Sequence, residues 1–336
     1  MTTMREVGAL AGVSSKTVSR VVNGDRYVSD DVRVRVTRAI DELQYVPNTL
    51  AQTFRAGRDT AIGVAVPSMT DPFFGGVIEA IAEQARAQNL AVLITQLGAP
   101  EDEQAAVEAL LQRQVAGLII APISTDHRYI AKWQQRTQFV FVDRAGHRIA
   151  ADSVVHDDQG GAREATLHLL QAGHRRIAFV ANALAIDTPT RRLQGYRDAL
   201  AECGIDPDPD LEVNDHDDRD FADRTFARLL DLAEPPTAIF CSASQLSIRL
   251  IPWLHANNRT DIGFVSFGDF PMADSLLPPV TVIEQDPQAL GITAVQRLFT
   301  RIETPTRRLK RHLVLPVHLK VRASTPKLDA RVRSAG

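Results

Sequence analysis

The stretch GVSSKTVSRVVNG, residues 12–24, concentrates hydrogen-bonding side chains on a short apolar frame. Ser15, Lys16, Thr17, Ser19 and Arg20 supply hydroxyls and cations but no carboxylate, and Lys16 and Arg20 stand four residues apart. Four residues is about one helical turn, so the two cations share a face. Donors without a general base or an activated nucleophile suit recognition rather than bond-breaking chemistry. Elsewhere the chain offers no catalytic set. H-E-x-x-H, C-x-x-C and G-x-S-x-G are absent, and no phosphate-loop spacing occurs. His147, His156, His168 and His174 are scattered, and the acid pairs Asp157-Asp158 and Asp217-Asp218 read as solvated, because adjacent side chains seldom converge. The expectation is a chain that is not an enzyme and carries neither metal nor cofactor.

The donors need helices to hold them. Val7, Leu10 and Ala11 repeat at helical spacing, Gly12 provides a left-handed stop, and Ser14 caps a second helix. In that second helix Val18, Val21 and Val22 make the apolar stripe. Asn23-Gly24 breaks the pattern. Ser29 or Asp30 caps a third helix carrying Val32, Val36, Ile40 and Leu43, and Pro47 ends it. Three short helices with a tight turn between the first two predict a helix-turn-helix unit. A helix entering a major groove needs its leading side chains at base edges and further donors for phosphates. Ser15 and Lys16 occupy that leading end, Arg20 can fork onto guanine, and Thr17 and Ser19 suit phosphates. Spacing alone leaves open a capped, solvated helix in a small bundle.

From Ala61 the texture changes. Short apolar runs such as AIGVAVPS, VAGLIIAP, RIAFVAN, TAIFCSA and IGFVSFGD alternate with helical patterns, which predicts parallel sheets with helices on both faces. Two successive sets predict two similar lobes. In open parallel sheets ligands collect beyond the carboxyl ends of strands. Here those ends are residues 67–74, 122–125, 143–144, 182–192, 215–218, 242–245, 268–269 and 285.

Bulk composition sets limits. The 336 residues are 44% hydrophobic and 24% charged, with formal net charge −3, so any nucleic-acid binding must be local. Residues 1–60 carry nine Lys/Arg against seven Asp/Glu. Cys203 and Cys241 lack metal spacing and suit a reducing compartment. The start, MTTMREVGAL, does not read as a signal peptide, and no run of about 18 apolar residues predicts a membrane span. A cytoplasmic protein is expected.

The segment from MREVGALAGVSSKTVSRVVNG to LQYVPNTLAQTFRAG strongly resembles the DNA-binding end of the LacI/GalR family of bacterial transcription regulators, through A-G-V-S-x-x-T-V-S-R-V-x-N-G and the later Y-x-P-N. The layout to about Ser324 is similar to that family throughout. The resemblance implies an amino-terminal all-α helix-turn-helix domain (1–46), a hinge (47–60), and an α/β core of two Rossmann-like parallel-sheet lobes like those of periplasmic binding proteins (61–324). Lobe 1 takes about 61–159 and 287–318, lobe 2 about 160–286 and 319–324, and 325–336 form a tail. It adds Asn23, Tyr45, Asn48 and Ala51 to the DNA-binding residues. Phe54 matches the hinge position whose apolar side chain wedges between base steps, with a buried anchor as the other reading.

For the cleft the resemblance implies Phe73 and Phe74 as a wall, or simply as packing at a helix start. Asp143 ends a strand and would bond ligand hydroxyls or orient the cleft. Arg192 would fork onto vicinal hydroxyls or a carboxylate, with a surface salt bridge as the alternative. Gln285 is a polar residue near the crossover between lobes. His156 would meet the ligand ring or sit in a solvated loop. Asp217 would face the cleft, although a solvated loop is preferred, and Asp269 stands beside Gly268, where the family has an aspartate. Two departures stand out: Ala243-Ser244 replace a common Asn-Asp, and Gly268 replaces that aspartate. Losing such partners should weaken sugar binding by about 1–3 kcal/mol each.

These readings predict a sequence-specific DNA-binding regulator, expected to repress. It would bind a pseudo-palindromic operator as a homodimer, or as part of a tetramer, with a small sugar or other metabolite as effector and no membrane partner. The alternatives are control by a partner protein or by no effector, a small-molecule binding or transport protein, and a sugar-modifying enzyme.

Overall fold

A computed structural model of the chain describes residues 3–22, 25, 27–43, 45, 61–182, 186–215 and 218–328. It falls into two units, Met1–Asp59 and Thr60–Gly336.

The small unit holds α1 (Met4–Ala11), α2 (Ser15–Val22) and α3 (Asp30–Glu42). Thr3 and Glu6 start α1 with reciprocal bonds, the Thr3 hydroxyl accepting from the Glu6 N–H and the Glu6 carboxylate from the Thr3 N–H. Gly12 stops α1 at φ 68°, a left-handed conformation that costs glycine little. The Ser14 hydroxyl then accepts from the Thr17 N–H at 3.1 Å and opens α2. Val7, Ala11, Val18, Val21, Val28, Val36, Ala39 and Tyr45 form the core. Complete burial of Val18 contributes about 1.5–3 kcal/mol. Leu10, expected on the apolar stripe, is instead 47% exposed. Val7, Gly8 and Ala11 are the residues α1 turns inward.

The large unit contains two six-stranded sheets. In the first, β1 (Ala61–Val66), β2 (Ala91–Gln96), β3 (Gly117–Ile120), β4 (Gln138–Val142), β5 (Asp152–His156) and β11 (His312–Leu315) run in the order β11-β5-β4-β3-β1-β2, all parallel. In the second, β6 (Ile177–Ala181), β7 (Glu212–Asn214), β8 (Ala238–Cys241), β9 (Gly263–Phe267), β10 (Thr281–Glu284) and β12 (His318–Lys320) run in the order β12-β10-β9-β8-β6-β7. Here β12 departs from the expected parallel pattern and lies antiparallel on β10. It follows β11 after only Pro316 and Val317, so the chain passes directly from the edge of the first sheet to the edge of the second.

Helices α4 (Pro72–Ala87), α5 (Glu103–Leu111) and α10 (Pro287–Glu303) serve the first sheet, and α6 (Asp158–Gln171), α7 (Asp187–Glu202), α8 (Phe221–Leu230) and α9 (Ser244–Ala256) the second. The central strands of each sheet are buried on both faces, with one apolar cluster per side, while β2, β11 and β12 at the edges are partly exposed. The chain crosses between lobes three times: from β5 into α6, from β10 into α10, and from β11 into β12. Asp152, at the head of β5, is bound by Arg297 and Arg301 of α10, which fixes the returning helix to the first lobe. Among the described residues no helix is long and apolar enough to cross a membrane.

Candidate functional site: a donor-bearing helix and an inter-lobe cleft

On α2 the leading residues Ser15 and Lys16 are exposed. Arg20 is also exposed, with its Nε donating to Asp25 Oδ2 at 2.8 Å. That bond aims the guanidinium without burying it. Thr17 and Ser19 are half-buried, and the Thr17 hydroxyl lies 2.9 Å from that of Ser14. Tyr45 requires a correction. Expected at the DNA surface, it is only 8% exposed and packs in the core of the helical unit. Its ring supports the fold and offers little area to a duplex. Asn23, Asn48, Ala51 and Phe54 lie outside the described residues.

In the large unit a cavity of about 160 Å³ opens between the lobes at the carboxyl ends of both sheets. Phe73 and Phe74 form an apolar wall, and Phe267 faces them from the second lobe. Asp71, Asp143, Arg144, Arg192, Ser242 and Gln285 supply the main polar lining. Asp71 caps α4 by accepting from the Phe73 N–H at 2.9 Å. Burial pushes its carboxyl above the usual range; the Phe73 bond opposes this and the charge of Asp143 adds to it. Asp143 holds Arg144, whose Nε and Nη2 donate to Oδ2 at 3.0 and 2.6 Å.

Arg192 lines the cleft, but its fork is already engaged. Nε donates to Asp158 Oδ1 at 2.8 Å, Nη1 to the Ser242 carbonyl at 2.6 Å, and the guanidinium stacks 3.7 Å from the Phe267 ring centroid. It braces the second lobe while lining the cavity. Asp158, expected to be solvated, is buried at 3% exposure. Burial raises its carboxyl to about 6 even beside Arg192. At the mouth, His147 Nε2 of the first lobe lies 3.0 Å from Asp187 Oδ2 of the second.

Two further expectations are corrected. His156 does not line the cleft. It is 3% exposed behind Phe73, edge-on to that ring, and its Nδ1 lies 3.2 Å from the Gln285 amide nitrogen. Burial lowers it to about 4, so the ring is neutral at pH 7. Its contribution is to hold Gln285 in place. Asp269 turns away from the cavity to meet Arg322, with Oδ1 and Oδ2 accepting from Nη1 and Nη2 at 3.0 and 2.6 Å. Gly268, at φ 94°, swings the backbone so that this carboxylate faces the lobe's outer strand rather than the cleft. Asp217 lies outside the described residues. Its neighbours Asp215 and Asp218 are both paired with Arg224. Sequence reasoning missed Asp71, Arg144 and Asp158 as site residues. The D-P pair was the available signal for Asp71: Asp before Pro marks a helix start, and a helix start that follows a strand lies at that strand's carboxyl end.

Below the cleft, Glu103 is fully buried and gathers the loop after β3. It accepts from the Ile123 and Ser124 N–H groups, from the Ser124 and Tyr129 hydroxyls, and from His127 Nε2 at 3.1 Å. The His147 N–H donates to His127 Nδ1 at 2.8 Å, which leaves Nε2 to carry the proton toward Glu103. Burial alone would raise the Glu103 carboxyl, but these donors outweigh it and hold it at about 2. The network fixes Ile123, a cleft residue. Serine, histidine and carboxylate meet here, but the Ser124 hydroxyl donates to the carboxylate rather than to the ring, so it is a brace and not a nucleophile.

The description "periplasmic binding proteins and sugar binding domain of LacI family" matches residues 59–323, and "bacterial regulatory proteins, lacI family" matches residues 3–48. The chain belongs to the LacI family. This LacI-family chain is a DNA-binding transcriptional regulator with an effector-binding core. It is 30% identical to the ribose operon repressor of Haemophilus influenzae over 311 residues, covering 91% of this chain and 93% of that one. It is 26% identical to the transcriptional repressor PurR of Vibrio atlanticus, covering 90% and 92%. Among solved structures, the lac repressor dimer bound to operator and the anti-inducer ONPF superposes with a TM-score of 0.83 at 28% identity, covering 97% of this chain and 99% of that one. A LacI-family regulator from Enterococcus faecium with bound ribose superposes at 0.72 and 28%, covering 80% and 100%.

Proposed function

We propose that this LacI-family regulator represses transcription in the bacterial cytoplasm as a homodimer on a pseudo-palindromic operator, and that a small polar metabolite between its lobes sets how tightly it binds. Residues 1–46 would read DNA, 47–60 would form the hinge, and 61–324 would bind the effector and the second subunit. Ser15, Lys16 and Arg20 would meet base edges, because they are the exposed donors at the leading end and outer face of α2. The ligand would lie against Phe73 and Phe74 and bond to Asp71, Asp143 and Gln285. No catalytic role is assigned to the cleft; Asp143, Arg192 and Gln285 are braced by Arg144, Asp158 and His156. The supporting observation is the cavity itself, since its lining joins strand ends of both sheets, and a bound molecule would therefore favour one lobe arrangement over another. That differential is what couples effector to operator.

One observation favours a second reading, in which a partner protein or no effector controls the chain. Ala243 and Ser244 line the cavity where an amide and a carboxylate are common, so the ordinary sugar clamp is incomplete. Selection of duplexes from a random DNA pool, repeated with a metabolite library, tests both. A preferred palindrome whose recovery changes with one metabolite supports the first reading. A palindrome indifferent to every metabolite, with no thermal stabilisation by any of them, supports the second. Recovery of no preferred sequence overturns the repressor assignment.

A further inference from the structure

All six strands of the first sheet are parallel, so their amino ends share one edge of the lobe. The segments entering four of those strands, residues 86–90, 112–116, 134–137 and 304–311, contain Arg86, Arg113, Arg136, Arg307, Arg308, Lys310 and Arg311 and no Asp or Glu. All seven cations are exposed. Among the described residues two acids adjoin these segments, and Asp59, two residues before β1, lies outside the described residues. Asp152 is buried and bound by Arg297 and Arg301, and Glu303 is exposed. A chain of net charge −3 therefore gathers an unusual local excess of positive charge on one edge.

The 304–311 loop is held in shape. Arg301 Nη1 donates to the Pro305 and Arg307 carbonyls, Arg297 Nη1 donates to the Lys310 carbonyl, and the Ser153 N–H donates to the Arg311 carbonyl. Two partly buried arginines thus fix the backbone while Arg307, Arg308, Lys310 and Arg311 project to solvent. Cations packed this closely repel one another, and neutralising them with counterions is the ordinary outcome. A duplex, with one phosphate charge per roughly 1.7 Å of axis, is the polyanion that matches such density.

We infer that the amino edge of the first lobe is a second DNA-contacting surface, sequence-blind, that grips phosphates while the helical unit reads bases. This rests on the DNA-binding assignment. Ala61 opens β1 on this same edge, so the linker carrying the helix-turn-helix unit joins the core there. A linker of residues 46–60 cannot separate its ends by more than roughly 50 Å. That length would let a duplex held by the helices reach the basic edge, where each phosphate contact would add by avidity.

The test compares the full-length protein with Arg307→Ala/Arg308→Ala/Lys310→Ala/Arg311→Ala, and with a control removing four exposed cations elsewhere, Arg175→Ala/Arg219→Ala/Arg228→Ala/Lys327→Ala. Affinity for random-sequence and selected duplexes is followed across salt concentration. The edge variant should bind random duplex roughly tenfold or more weakly at low salt, and its salt slope should fall by about 0.9 for each phosphate left without its cation. The ratio between selected and random duplex should stay constant, as should the melting temperature. Equal losses in the control would assign the effect to net charge and overturn the proposal. Unchanged duplex binding in the edge variant overturns it too, and loss of retention on vesicles of anionic lipid would then assign the edge to a membrane. A wild type that binds no duplex at all removes the DNA-binding assignment, and this inference with it.

Discussion

Arg192 and Asp158 form a buried pair in which Nε and Nη2 of the arginine both meet one carboxylate oxygen, at 2.8 and 2.6 Å. The pair joins the start of α6 to α7 and, through Nη1, to the end of β8. Its effect on stability comes from the burial of the acid. With Arg192→Ala, Asp158 loses its cation inside the lobe, which should cost about 3–5 kcal/mol. The Asp158 carboxyl already lies above its ordinary value, at about 6, and the substitution removes an influence that lowers it. A carboxyl raised in the folded state is most favourable when protonated, so stability falls as pH rises through the folded value. The deficit measured by urea unfolding should therefore be larger at pH 8 than at pH 5. A deficit independent of pH would show that Asp158 does not titrate with the fold.

That same pair marks the boundary between what the sequence encodes locally and what it does not. The recognition helix was legible because cap, stripe and donors fall within a few residues. The cleft was legible by segment. Strand ends predicted from periodicity include most of the lining, from Ser68 to Gln285. Which side chain in each segment faces the ligand was not legible. Asp158 reads as solvated because Arg192 is 34 positions away in sequence. Asp269 reads as a cleft acid because the positive φ of Gly268 is invisible in a residue string. His156 reads as a loop residue because Phe73, which covers it, belongs to α4, far from β5 in sequence.

Glu103 gives a second pH signature of opposite sign. Its carboxyl drops from an ordinary value near 4.5 to about 2 in the folded protein. A lowered carboxyl contributes stability that is present above the unfolded value and lost as pH falls toward the folded one, here about 3 kcal/mol between pH 4.5 and 2. Glu103→Gln should be markedly less stable than the parent at pH 7, and the gap should shrink by pH 3. Since the same carboxylate positions Ile123, effector affinity should weaken in parallel at pH 7. Intact stability with weakened affinity would instead place Glu103 in ligand contact.

The outward guanidinium of Arg20 carries a prediction about specificity. Arg20→Ala should reduce discrimination between selected and mismatched duplexes by about 1–3 kcal/mol if the fork meets a guanine. Asp25→Ala removes the carboxylate that aims Arg20, and should lower discrimination less while leaving the helical unit folded. Duplex selection with each variant reads the difference. A loss spread evenly over all sequences would move Arg20 to a phosphate.

Gly268 explains why the usual acid cannot simply be restored. A Cβ built there would meet Ser244 Cβ and Gln285 Oε1, each at 3.2 Å, and the backbone holds φ 94°. Non-glycine residues are strained in that conformation, by about 1–3 kcal/mol. Gly268→Asp should therefore lower the melting temperature, and it should displace Gln285, the residue His156 holds by a 3.2 Å contact. Ala243→Asn meets no such barrier, because Ala243 has ordinary extended angles, φ −154° and ψ 143°, and lines the cavity. It adds an amide at a position where the cleft has only a methyl, so binding of a small sugar followed by calorimetry should tighten by about tenfold, equivalent to one net hydrogen bond of roughly 1.4 kcal/mol. If Ala243→Asn leaves sugar binding unchanged while Gly268→Asp improves it, the cleft discriminates through the position after β9 rather than the one after β8.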